Sequence, residues 1–284
     1  MGSPGILTGI KAMATGASPM PEDIKDYMQA VFSIPLMEAY SQTEATGVSI
    51  TSRDANSSGH VGVIHSQAEF KLVSIPEMGY TVNDLDEEGN PSPRGEIYHR
   101  SAGVTSGYYK DEATTNEVID KDGWLHTNDI AQLLPNKGNA VKIIDRKGNF
   151  FKLSNGKWIC PDNLEQYYKS AKSVKDFWIY GKQNYDYLVA VVTVHSEEFV
   201  ELMNENGIQG RSFEEFVGRE DCDDVLLKEI QKSVVGKLPD YMVIKRIFVS
   251  GKSFKELDLY TFNGKMMRRD LKKYFDRQVE EMFE

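Results

Sequence analysis

Cysteine is almost missing from this sequence: Cys160 and Cys222 are the only two among 284 residues. They stand far apart in unlike surroundings, which excludes a disulfide scaffold and a cysteine-rich zinc site and favours a reducing compartment. The five histidines, His60, His65, His99, His126 and His195, show no zinc spacing. No run approaches the roughly 20 apolar residues that a bilayer-crossing helix needs, so a transmembrane segment is not expected. The opening residues, Met1 to Gly5, lack the charged and apolar regions of a secretory leader. Positive charge is also short, with 33 Lys and Arg against 43 Asp and Glu and a net charge of -10. That balance argues against nucleic-acid binding through bulk charge, yet a few placed cations still suffice for a nucleotide. There is no Gly-x-Ser-x-Gly elbow and no Gly-x-x-x-x-Gly-Lys-Ser/Thr phosphate loop.

What is present is a globular composition, 40% hydrophobic and 27% charged. At about 150 residues per domain, the length predicts roughly two domains. Residues 1–59 read as α/β. Pro21 to Val31 places Ile24, Tyr27, Met28 and Val31 at helical spacing, and apolar runs at 34–37 and 47–50 flank the polar stretch Tyr40-Ser41-Gln42-Thr43-Glu44. Residues 60–145 read as β-rich: 70–75 and 95–100 alternate, 140–144 is a third candidate strand, and Gly and Pro punctuate them. A small, bent sheet or open barrel is expected there.

Residues 146–284 read as α+β. The expected elements are a helix over 162–169, strands over 177–180 and 188–194, and a helix over 223–235. A buried strand over 242–249 and a closing helix over 266–283 follow, with a capping box at Ser212-Phe213-Glu214-Glu215. The domain boundary is placed at Asp145-Arg146-Lys147-Gly148-Asn149, where a strand ends, charge follows and Gly-Asn tolerates large backbone changes. An ordinary turn fits the same residues.

Four polar clusters could carry chemistry. In Tyr40-Ser41-Gln42-Thr43-Glu44 the Thr43 hydroxyl can donate to a phosphate, Glu44 can hold Mg²⁺ beside it, and Tyr40 can stack on a base; a solvated loop with a helix cap is the plain alternative. In Gly123-Trp124-Leu125-His126-Thr127-Asn128-Asp129, Asp129 can accept two hydrogen bonds from a ribose diol, or simply cap a turn. The third cluster runs from Ile143-Ile144-Asp145-Arg146 through Lys152-Leu153-Ser154-Asn155-Gly156 to Pro161 and Glu165. There Arg146 offers a planar fork and Lys152 a second cation, unless both are surface ion pairs. In the fourth, Gly264-Lys265 on a loop before a helix can place a mobile cation in a cleft, while Arg268, Arg269, Lys272, Lys273 and Arg277 read as a solvated helix face.

Taken in order, these clusters, with Gly95-Glu96-Ile97 and Gly107-Tyr108-Tyr109, resemble the adenylate-forming acyl-CoA synthetases. Gly59-His60-Val61-Gly62, Pro76-Glu77-Met78-Gly79-Tyr80 and Phe151-Lys152-Leu153-Ser154-Asn155-Gly156 resemble the long-chain fatty-acid–CoA ligases among them. The resemblance covers essentially the whole chain. It implies two steps: ATP and a fatty acid give acyl-adenylate and pyrophosphate, and CoA then displaces AMP. It also implies a mobile C-terminal domain at 146–284, following the end of a large adenylate-forming domain at 1–145.

By the same resemblance, Gly16, Ala17, Ser18 and Tyr40 line the adenine and acyl pocket. Thr43 meets the α-phosphate, Glu44 holds Mg²⁺, and Asp129 and Arg146 bind the ribose, with Ile144 among the nucleotide-binding positions. Lys265 bridges carboxylate and phosphate, Lys152 is a further binding position, and Ser154, Asn155 and Gly156 line the CoA path.

Asn128 stands where the family usually has Gly, Gly148 where Lys or Asp is usual at the hinge, and Asn263-Gly264 where a small polar-aromatic pair is usual. The family's Ser/Thr/Gly-rich phosphate loop is not in these residues. The expectation is therefore a C-terminal half, inactive alone, from a cytoplasmic ATP-, Mg²⁺- and CoA-using enzyme, with peripheral attachment to intracellular membranes left open. A ligase for another carboxylic acid and a truncated, non-catalytic nucleotide-binding module are the competing readings.

Overall fold

A computed structural model describes residues 9–17, 20–52, 58–262 and 264–284. The chain divides into two compact units, Met1–Gly148 and Asn149–Glu284. No described helix is long and apolar enough to cross a membrane.

The first unit begins with β1 (Met13–Gly16), α1 (Glu22–Phe32) and β2 (Leu36–Gln42). A helix between parallel neighbours is the usual crossover, and β1 pairs in parallel with β2. β3 (Gly47–Thr51) and β4 (Val63–Ile64) continue that sheet antiparallel. The expected helix is present, but Ile24, Tyr27 and Val31 are exposed. The one fully buried residue of α1 is Lys25, whose ammonium meets Glu38 of β2 at 3.1 Å. A buried cation persists only when paired, so this pair fixes the helix on the sheet.

β2 also runs through Tyr40-Ser41-Gln42, which the sequence reading leaves as loop. Pairing with β3, past a bulge between Tyr40 and Ser41, holds these polar residues extended. The next sheet is a meander of β5 (Ala68–Val73), β6 (Arg94–Ser101), β7 (Leu125–Leu134) and β8 (Ala140–Arg146), with α2 (Glu112–Val118) between β6 and β7. β7 absorbs the whole stretch from Leu125 to Asp129, for which a turn capped by Asp129 is the plain alternative in the sequence. Bulges next to Ile130 on β7 and at Glu96–Tyr98 on β6 bend the ladder there, a device common beside functional sites. Ile50, Val61, Ile97, Ala131 and Val141 form the core of this unit. Gly62 bridges to Val141 at φ +102°, and a Cβ there would lie 1.9 Å from the Thr51 carbonyl oxygen, so only glycine fits.

The second unit opens with a small hairpin, β9 (Phe151–Lys152) and β10 (Trp158–Ile159), then α3 (Pro161–Tyr168). Its sheet is β11 (Val174–Tyr180), β12 (Leu188–Val194) and β13 (Ile244–Val249), β12 lying between an antiparallel and a parallel partner. α4 (Ser196–Glu205) and α5 (Glu220–Val234) lead from β12 to β13. Alternation along the strands divides the core. Phe177, Ile179, Leu188, Ala190 and Val192 pack with Phe199, Leu226 and Ile230, while Trp178, Val189 and Val191 pack with Leu271, Phe275 and Val279.

Two expectations need correction here. The closing helix is two, α6 (Arg268–Tyr274) and α7 (Asp276–Glu281), because Phe275 leaves helical geometry at φ -98°, ψ 20° and buries its ring. The expected capping box is a single 3-10 turn at Phe213–Glu215, and the Ser212 side chain makes no capping hydrogen bond.

Candidate functional site

In the first unit, the site is built around one buried carboxylate. Asp129 Oδ2 accepts from the Tyr40 hydroxyl at 2.6 Å and from Gln42 Nε2 at 2.5 Å. Arg146 Nε donates to Asp129 Oδ1 at 3.1 Å. β2 supplies the first two side chains, β7 the acid and β8 the arginine, and Asp129 pairs in register with Arg146. The Asp129 side chain is 7% exposed and that of Arg146 55%, so the acid is fixed while the cation faces solvent. Oδ2 is saturated by two donors; Oδ1 keeps acceptor capacity on the arginine side. A vicinal diol could use that capacity together with the guanidinium.

Burial, and then the charge of Asp129, push the Tyr40 phenol well above its usual range. It therefore stays a hydroxyl donor at any ordinary pH. Gln42 Nε2 also donates to the Thr127 carbonyl oxygen at 2.9 Å, and Asp129 N donates to Thr127 Oγ1 at 3.1 Å.

Between Thr127 and Asp129, Asn128 adopts φ +56°. This left-handed position explains the departure noted in the sequence: glycine suits it best, and asparagine is among the few side chains that tolerate it. Asn128 N donates to Glu96 Oε1 at 3.2 Å, and Glu96 Oε2 holds Lys147 Nζ at 3.0 Å.

Thr43 and Glu44 lie on a 3-10 turn, Thr43–Ala45, directly after β2. Thr43 is exposed. Glu44 Oε1 accepts from the Tyr108 hydroxyl at 2.8 Å, and its backbone carbonyl accepts from Thr105 N at 2.8 Å. That hydrogen bond, with burial and the charge of Glu44, raises the Tyr108 pKa, while the nearby Arg146 charge opposes the rise. Gln42, which holds Asp129, is followed directly by the Thr43–Ala45 turn, so the end of β2 links the two polar clusters.

The donor set suits Mg²⁺ of one kind only. Among the described residues no group of three or more His, Cys, Asp or Glu could hold a metal ion. One carboxylate beside a hydroxyl fits a Mg²⁺ that brings phosphate oxygens and waters with it.

Gly16 ends β1 opposite Ala39, next to Tyr40. A Cβ on it would sit 3.0 Å from the Ala39 carbonyl oxygen. Ala17 follows at φ +73°, and Ser18 lies outside the described residues. Ile144 is half-buried on β8, two residues before Arg146.

The second unit carries the remaining candidates. Lys152 lies on β9, its ammonium 5.9 Å from the Trp158 ring centre. Ser154, Asn155 and Gly156 form the exposed turn into β10, where Asn155 Oδ1 accepts from Lys157 N at 3.0 Å. Lys265 stands exposed on a hairpin tip. The residues that sequence reasoning left without a role are Gln42, Glu96, Tyr108 and Lys147. Gln42 was within reach: two residues from Tyr40 on a strand is the same face. Glu96 and Tyr108 meet their partners 51 and 64 residues away in sequence, and no local pattern reports that.

A family model described as AMP-binding enzyme matches residues 3–109. The peroxisomal long chain acyl-CoA synthetase 7 of Arabidopsis thaliana is 35% identical over 285 residues, which is 96% of this chain and 39% of that protein. The long-chain-fatty-acid–CoA ligase 5 of Rattus norvegicus is 36% identical over 281 residues, 97% of this chain and 39% of that protein. Among solved structures, the A domain of the carboxylic acid reductase from Segniliparus rugosus, in complex with AMP and a co-purified carboxylic acid, superposes with a TM-score of 0.78. It is 25% identical and covers 96% of this chain and 39% of that one. The chain thus spans about two fifths of the length of these relatives. Residues 3–109 thus match the family of AMP-binding enzymes, and nearly the whole chain, the Asp129–Arg146 pair and the Glu44 turn included, is similar to the long-chain acid–CoA ligases.

Proposed function

We propose that these residues are the C-terminal part of an ATP-dependent long-chain fatty acyl-CoA synthetase. The observation that carries the proposal is the Asp129 carboxylate, held by Tyr40, Gln42 and Arg146 with acceptor capacity left on Oδ1. In this reading Asp129 and Arg146 take the ribose hydroxyls of ATP, with Gly16, Ala17, Ser18, Tyr40 and Ile144 around the base. The Thr43 hydroxyl donates to the α-phosphate, and Glu44 holds a Mg²⁺ whose charge offsets that of the phosphates.

Lys265 meets the fatty-acid carboxylate and the α-phosphate as the carboxylate oxygen attacks phosphorus and pyrophosphate leaves. Fixed cations at developing negative charge are a leading source of rate enhancement. Lys152 and the Ser154-Asn155-Gly156 turn then serve CoA, whose sulfur attacks the acyl carbon and expels AMP. Residues 1–145 form the end of the large domain and 146–284 the mobile one, with Gly148 at the pivot. The enzyme works in the cytoplasm or peripherally on a membrane facing it.

Lengths and residues alike support a portion of the enzyme, because a Ser/Thr/Gly-rich phosphate loop is not among these 284 residues. The deciding experiment is ATP–pyrophosphate exchange with palmitate. Robust exchange is expected from the longer polypeptide, none from these 284 residues alone, and a loss of at least about 100-fold in the longer polypeptide carrying Lys265→Ala. Thioester formation from supplied acyl-adenylate should survive that substitution. Equal losses in both half-reactions would remove Lys265 from its assigned role, and preference for an aryl or short acid over palmitate would replace the substrate class.

A further inference from the structure

We infer that the hairpin bearing Lys265 is rigidly mounted, with Tyr260 and Arg268 as the positioning residues that set where the Lys265 ammonium can stand. The inference rests on the reading of Lys265 as the adenylation lysine and adds to it the means by which the lysine is held.

Backbone bonds define the tip. Tyr260 bridges to Met266, Thr261 N donates to the Lys265 carbonyl oxygen at 2.8 Å, and Gly264 N donates to the Thr261 carbonyl oxygen at 2.8 Å. Lys265 N donates to Thr261 Oγ1 at 3.1 Å, and Met267 N to the Leu259 carbonyl oxygen at 2.9 Å. A tip that short is exposed, as a lysine reaching for substrate must be. Both feet are tied to the core of the unit by side chains.

On the incoming side, the Tyr260 hydroxyl donates to Asp176 Oδ1 at 2.7 Å. Asp176 Oδ2 accepts from Thr193 Oγ1 at 2.7 Å, so the acceptor is itself locked between β11 and β12. Burial, then the hydrogen bond to Asp176, raise the Tyr260 pKa and keep it a donor.

On the outgoing side, Arg268 makes a forked pair, Nη1 to Glu165 Oε1 at 2.9 Å and Nη2 to Glu165 Oε2 at 2.6 Å, and Nη2 also reaches Asp162. Glu165 is 2% exposed and accepts from Ile179 N at 2.9 Å. A two-point fork fixes rotation as well as distance. Burial alone would weaken the Arg268 charge, but Glu165 and Asp162 more than offset it and raise its pKa. Arg268 was expected on a solvated helix face; it is the anchor of the loop instead.

A cation prealigned by its support costs less to bring into place at the moment of reaction than one on a free loop. The four-carbon stem of Lys265 keeps its freedom while its backbone does not.

The test uses Tyr260→Phe, which removes one hydroxyl, and Arg268→Lys, which keeps the charge and loses the fork. Trypsin cleavage at the Lys265–Met266 bond is followed in these 284 residues, and both half-reactions in the longer polypeptide. Each variant should be nicked at that bond at least tenfold faster, with cleavage elsewhere unchanged. Its adenylation kcat should fall about tenfold, with KM for ATP and thioester formation within twofold. If Arg268→Lys fails to fold, Tyr260→Phe decides alone. Unchanged nicking overturns the rigid mount, and faster nicking with unchanged adenylation, or equal losses in both half-reactions, overturns the positioning role. Should Lys265→Ala leave adenylation intact, the role of the lysine falls, while the trypsin result still decides the mount.

Discussion

Glu96 holds Lys147 at 3.0 Å with one carboxylate oxygen and accepts the backbone amide of Asn128 with the other. The acid is almost wholly buried, but the Lys147 side chain is 40% exposed and can turn to water if released. The amide contact should therefore outweigh the ion pair. Glu96→Gln, which keeps an acceptor, should cost less than about 1 kcal/mol in urea unfolding, and Glu96→Leu about 2 kcal/mol. Equal costs would mean that the ion pair, not the amide, is what Glu96 contributes.

Asn128 sits at φ +56°. Asn128→Gly should be neutral within about 0.5 kcal/mol, whereas Asn128→Val should lose roughly 1–2 kcal/mol, since a β-branched side chain is strained there. Denaturation midpoints of the two variants check this. A valine variant as stable as the parent would show that β7 has no need of the left-handed residue there.

The fold was largely legible. The buried runs around 188–194 and 244–249 and the helix near 162–168 needed only periodicity. The failures share a cause. Tyr40, Gln42 and the stretch from Leu125 to Asp129 carry polar side chains on strands, because a strand lining a site turns chemistry, not oil, toward its partner; local polarity then reads as loop. Asp129 and Arg146 could be named from a resemblance, yet their mutual contact follows from the β7–β8 register, which no single segment encodes. Arg268 misled for the opposite reason: a basic run looks solvated until a buried glutamate, 103 residues away, is found beneath it.

Tyr168 is fully buried and stacks on Phe177 at 4.9 Å. Its hydroxyl donates to the Met242 carbonyl oxygen at 2.8 Å and accepts from Ile244 N at 3.1 Å, joining α3 to the start of β13. Tyr168→Phe should keep the stack and strand the buried Ile244 amide and the part-buried Met242 carbonyl, at a cost of about 1–3 kcal/mol. Urea unfolding measures it, and a cost near zero would mean that those groups find other partners.

Burial, with Asp224, Asp221 and Glu220 adding to it, pushes the Asp223 carboxyl up to about 7. Its Oδ1 has no hydrogen-bond partner among the described residues. An acid whose folded pKa lies above its unfolded value, near 4, binds its proton more tightly when folded. The resulting stability is whole below about pH 4 and is lost as pH rises through about 7. Asp223→Asn should therefore unfold later than the parent at pH 8, by about 1–2 kcal/mol after allowance for its partial exposure, and the gap should close toward pH 4. A gap that ignores pH would place the strain elsewhere than on that proton.

All seven residues of β12 are buried, so an error of one position along the strand would still leave both faces greasy. Hydrophobicity cannot tell the right alignment from its neighbour. The one polar side chain in the strand can: Thr193 meets Asp176 only when the two strands are in step. A single hydroxyl thus acts as the key that stops the sheet from slipping, and because Tyr260 leans on the same aspartate, the lysine hairpin inherits whatever alignment that key selects.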